Sequence, residues 1–124
     1  HDYVGLKQTD FSCKLYMNID EVKQLVKNGM YVGSHGSMHY WLDRISAEQQ
    51  EQDIVGSLEF LERVGALTKD WVMCYPYGAF NDTTLFLLKK YGASVGITTE
   101  VRKADISKDS SFALPRFDTN DFPQ

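Results

Sequence analysis

Two histidines stand four residues apart in His35-Gly36-Ser37-Met38-His39. Imidazole nitrogens are good ligands for zinc and other divalent transition metals, and an i, i+4 pair on a helical turn, or on a loop curled like one, brings two rings to one ion. Two ligands do not complete a site. A catalytic zinc takes a third protein ligand, usually His or a carboxylate, and keeps a position open for water. Taken alone, the spacing is met equally by two polar loop residues, one of them bonded to backbone.

A second group is the turn Tyr75-Pro76-Tyr77-Gly78. Aromatic faces stack on sugar rings, and a fixed backbone N–H can stabilise the oxyanion of an acyl transfer. Tyr75, Pro76 and Tyr77 are therefore candidate substrate contacts, against the plainer reading of a turn with its rings tucked into the core. Tyr40 and Trp41, beside His39, share that ambiguity. Ser34 and Ser37 raise the option of a serine nucleophile, but there is no G-x-S-x-G elbow and no identifiable orienting acid. Arg116, Asp118 and Asp121 read as solvated loop charges.

The elements that must position these residues alternate in type. Asn18 caps a helix of about ten residues with apolar positions at 19, 22, 25 and 26 and a stop at Gly29. Met30 to Ser34 reads as a buried strand ending just before His35. Ser46 with Gln49 forms a capping box for a second helix, striped by Ile54, Val55, Leu58 and Leu61 and ended by Gly65. Trp71 to Cys74 is the next strand, broken by the Tyr75 to Gly78 turn. Asn81 or Asp82 opens a third helix, with Leu85, Leu88 and Tyr91 on one face and Gly92 at its end, and Ser94 to Thr98 is a third strand. Phe112 to Leu114 is a candidate fourth.

This order gives an α/β class with a parallel sheet and right-handed crossovers. The carboxyl ends of parallel strands share one edge, so His35, the Tyr75 to Gly78 turn and Thr98-Thr99 are expected to emerge together, where ligands bind. Residues 1–124 read as one domain, with no repeats or linkers. A net charge of −4 with scattered Lys and Arg argues against a nucleic-acid surface, and no apolar run approaches the roughly 20 residues of a membrane span. Cys13 and Cys74 are too few for a disulfide framework and are not spaced as CxxC. They read as free thiols, with a bridge between them as the alternative in an oxidising compartment.

In this order, residues 18 to 118 resemble the polysaccharide deacetylases, the NodB-like carbohydrate esterases of family four. Gly29 through His35 is similar to that family's glycine, strand and first metal histidine. His39 matches the second histidine of H-[ST]-x-x-H, Tyr75-Pro76-Tyr77-Gly78 with Asn81 resembles the third motif, and Gly92 to Thr99 the strand after it. The resemblance implies a distorted (β/α) barrel that binds zinc or another divalent ion through one aspartate and His35 and His39. It also implies hydrolysis of N-acetyl groups on a carbohydrate polymer, with the Tyr77 N–H at the oxyanion, in an extracellular or cell-envelope setting. The sequence by itself leaves localisation open.

The departures are specific. No strand ending in paired aspartates, the family's source of base and third ligand, precedes the first helix, and Asp2 and Asp10 are isolated. Cys74 stands where the motif has Arg, Gly36 stands where it has Ser or Thr, and no His follows His39. The chain is therefore expected to be an excerpt of a longer enzyme or an inactive form, since such a barrel needs on the order of 200 residues or more. Open strand edges would favour self-association. The rival function is a non-catalytic carbohydrate-binding or scaffolding module of the same fold.

Overall fold

The computed structural model describes residues 15–122. Among these residues the main elements are α1 Ile19–Lys27, α2 Ala47–Val64, β1 Trp71–Cys74, α3 Asp82–Lys90 and β2 Ala93–Ile97, which follow the expected order except that no strand separates α1 from α2. Each helix starts where a side chain takes the free N–H groups of its first turn. Asn18, Ser46 and Asn81 each close a capping box, with Glu21, Gln49 and Thr84 respectively. Gly65 ends α2 in the left-handed conformation that a Cβ disfavours.

β1 and β2 pair in parallel, with an irregularity after Trp71 and then Met73 opposite Gly96 and Cys74 opposite Ile97. Single parallel bridges extend this pair on both sides, Ser34 to Met73 and Ile97 to Leu114. The expected strand at 30–34 is thus reduced to one bridge. A regular ladder would continue through the Val72 N–H, but that group donates instead to the Tyr31 hydroxyl at 2.8 Å, so pairing stops at Ser34. On the far side, the turn closed by Ala113 N–H on the Ser110 carbonyl ends just before Leu114, and the Arg116 N–H then reaches Glu100. The candidate fourth strand likewise shrinks to a bridge.

Strand parity decides the core. Trp71 and Met73 point inward from β1, and Tyr75 continues that alternation into the turn. They pack with Leu42, Ile54, Leu87 and Leu88 beneath α2 and α3. On α3 the buried face is Thr84, Leu87 and Leu88, with Leu85 only half-buried, a small rotation from the expected stripe. The buried face of α2 is more polar than its apolar pattern suggests. Gln50, Asp53 and Ser57 lie on it with Ile54, Leu61 and Val64. Gln50 ties α2 to α3 by accepting from the Thr84 hydroxyl at 2.7 Å. Among the described residues no helix is long and apolar enough to cross a membrane.

Candidate functional site

His35, His39 and the Tyr75 to Gly78 turn meet at the carboxyl edge of the strands, as the βαβ order requires. Ser34 is pinned beside β1 by its N–H on the Val72 carbonyl and by the Cys74 N–H on its own carbonyl, both at 2.9 Å. His35 follows immediately, and its Nδ1 lies 2.7 Å from the Cys74 carbonyl. A carbonyl only accepts, so Nδ1 carries the ring proton and Nε2 presents its lone pair. That lone pair faces His39, whose Nε2 is 3.0 Å away.

Two nitrogens on one tetrahedral zinc, at about 2.0–2.1 Å each, stand roughly 3.3 Å apart. The pair fits such an ion after a shift of a few tenths of an ångström, and both rings are exposed enough to receive it. Among the described residues no third His, Cys, Asp or Glu joins them. Cys74 serves the pair through its carbonyl, while its thiol is half-buried and has no disulfide partner among the described residues. A bridge to Cys13 falls outside the described residues.

The loop between the histidines is held from below by a residue that sequence reasoning missed. Asp53 on α2, 2% exposed, accepts through Oδ1 from the Met38 N–H at 2.6 Å, the Ser37 N–H at 3.1 Å and the Ser37 hydroxyl at 3.2 Å. Its other oxygen lies against Gly36, where a Cβ would collide with it, and Gly36 has φ +73. One turn further along α2, the Ser57 hydroxyl accepts from Ser34 and donates to the Ile54 carbonyl, each at 2.8 Å. These bonds commit the serine hydroxyls: Ser34 is buried on Ser57, and Ser37 donates to a carboxylate, so the geometry does not support a serine nucleophile. The missed signal is positional. Residues 50, 53, 57, 61 and 64 share one helical face, and three of them are polar.

The turn separates its two tyrosines. Tyr75 is 1% exposed, stacks on Phe80 and donates its hydroxyl to the Phe112 carbonyl at 2.8 Å. Burial pushes this phenol above the usual tyrosine range. Pro76 is buried as well. Of the three candidate substrate contacts in this turn, Tyr75 and Pro76 thus have buried side chains. Tyr77 is half-exposed and held at φ 58. Its ring meets His39 edge to face at 4.8 Å and stacks on Trp41 at 4.3 Å, nearly parallel, and Arg44 lies over the Trp41 ring. Thr99 closes in beside Gly78. Asp118 caps the short turn Thr119–Asp121.

The comparisons with known proteins follow these elements. The polysaccharide deacetylase family model matches residues 5–96. YxkH of Bacillus subtilis (strain 168), named for the polysaccharide deacetylases, is 27% identical over 119 residues, which cover 90% of this chain and 42% of that protein. The chain thus spans less than half the length of that relative. Among solved structures, the Streptococcus pyogenes deacetylase PplD in complex with acetate aligns with TM-score 0.72 and 25% identity, over 81% of this chain and 43% of that one. A family 4 carbohydrate esterase from Streptomyces lividans, also in complex with acetate, aligns with TM-score 0.57 and 26% identity, over 62% of this chain and 40% of that one. The α/β order, with its parallel strands and the histidine loop at their carboxyl edge, is therefore part of the NodB-type barrel, and the chain belongs to the polysaccharide deacetylase family.

Proposed function

We propose that this chain contributes the histidine half of a metal-dependent site that removes N-acetyl groups from a carbohydrate polymer. The observation that carries the reading is the 3.0 Å approach of the His35 and His39 Nε2 atoms, with the His35 tautomer fixed by the Cys74 carbonyl. His35 and His39 would hold zinc or a related divalent ion, which when bound polarises an amide carbonyl and lowers the pKa of a water. The acetate complexes of PplD and the Streptomyces esterase support an acetyl group as what is removed.

The residues of this chain bind and orient. In this reading the backbone N–H of Tyr77 donates to the oxyanion that develops on the acyl carbonyl oxygen, and the exposed Tyr77 and Trp41 rings give the sugar an apolar rim. Among the described residues no carboxylate joins the two histidines as a third ligand.

The test is a calorimetric titration of zinc chloride into the chain and into a His35→Ala, His39→Ala double variant. Stoichiometric binding that the variant loses is the expected result, and no binding by either would overturn the metal site. Acetate release from N-acetylglucosamine oligomers, abolished by chelation, would support the catalytic reading. Retained oligosaccharide binding without metal uptake would favour the non-catalytic module.

A further inference from the structure

We infer that Asp53 is the positioning residue of the His35–His39 pair, setting their approach through the two residues between them. This rests on reading the pair as metal ligands. Asp53 touches neither ring. It grips the chain midway between them, where the Ser37 N–H, the Ser37 hydroxyl and the Met38 N–H all converge on Oδ1. The bond from Met38, at 2.6 Å, is short, as expected when an amide meets a carboxylate.

The loop needs such a tie. It takes left-handed backbone at both Gly36 and His39, and a curl of that kind persists only where its surroundings impose it. α2 does so with a carboxylate that stability alone does not favour. Asp53 is buried, and among the described residues no donor reaches its Oδ2, an arrangement that disfavours folding relative to an apolar side chain. Gly36 is its counterpart, because the space a Cβ would occupy is filled by that same oxygen. Asp53 and Gly36 thus form a matched pair at the residue that follows the first histidine. The Ser34–Ser57 bond fixes where the loop begins, which leaves Asp53 to fix its middle.

The test compares the full chain with Asp53→Ala, Asp53→Asn and Gly36→Ala. Zinc chloride affinity is measured by calorimetry. The Ser37 and Met38 amides and the two imidazole rings are followed by nitrogen-15 NMR without metal. Asp53→Ala is expected to weaken zinc binding by about 10–100-fold and to expose both amides to exchange. Asp53→Asn, which keeps an acceptor oxygen, is expected to stay within a few-fold of the unmodified chain. Gly36→Ala should reproduce the Asp53→Ala behaviour, and it carries the comparison with Asp53→Asn if Asp53→Ala fails to fold. Unchanged amides in Asp53→Ala, or changed amides with unchanged zinc affinity, would overturn the inference. If the unmodified chain binds no zinc, the ligand reading fails and the amide and ring signals alone decide. Their loss in Asp53→Ala and retention in Asp53→Asn would sustain the positioning role, and any other pattern would end it.

Discussion

The rings of His39 and Tyr77 meet edge to face at 4.8 Å, and both residues hold left-handed backbone, at φ 57 and φ 58. Asp70 is the one other non-glycine residue at positive φ among those described. Such backbone costs on the order of 1–3 kcal/mol per residue, so its concentration at one contact marks where packing overrides local preference. Trp41, stacked on Tyr77, extends that packing outward.

Removing the stack should therefore loosen the turn. Trp41→Ala and Tyr77→Ala are each expected to lower stability by about 1 kcal/mol, with a coupling of roughly 0.5–1.5 kcal/mol between them. Urea denaturation of the two single variants and the double variant measures this directly. Additive losses would mean that the rings lie together without holding one another.

Gly96 is expected to tolerate no side chain. A Cβ there would meet the Tyr75 hydroxyl and the Phe112 carbonyl, the two ends of the bond that anchors Tyr75. Gly96→Ala should cost about 1–3 kcal/mol, and Tyr75→Phe, which removes the colliding hydroxyl, should recover part of that in the double variant. A double variant no more stable than Gly96→Ala alone would place the strain at the Phe112 carbonyl.

The segment from Glu100 to Asp109 should be acid-resistant down to a defined point. The Arg102 guanidinium, and then the Asp105 N–H, hold the Asp109 carboxyl down to about 2. Its folded pKa lies below its value of about 3.9 in an unfolded chain. The stabilisation is therefore complete above that value and is lost as pH falls through about 2. The Asp105 amide, bonded to Asp109 at 2.7 Å, should stay protected from exchange at pH 4 and lose protection near pH 2. In Asp109→Asn that acid step should disappear.

Local chemistry made the helices readable. Asn18, Ser46 with Gln49, and Asn81 announce their starts, and the structure uses each as a cap. The histidine pair and its edge followed from the order of elements. What the sequence hid was decided at a distance. Tyr31 takes an N–H from β1, 41 residues further along the chain, so the expected strand at 30–34 never forms a ladder. Asp53 carries no local signal of its role, because its partners, Ser37 and Met38, come from another segment. Tyr75 is a different case: alternation through Trp71 and Met73 already pointed its ring inward, and the turn motif drew attention away from that parity.

The partner of His35 Nδ1 is a main-chain oxygen. Every residue type offers that acceptor, so exchanging the side chain at position 74 changes neither the ring's proton placement nor the direction of its lone pair, provided the strand keeps its course. The neutral tautomer of the first histidine is in this sense inherited from the sheet and is insulated from mutation at the residue that supplies it. Cys74 can therefore stand where related motifs carry arginine while the imidazole beside it keeps its orientation.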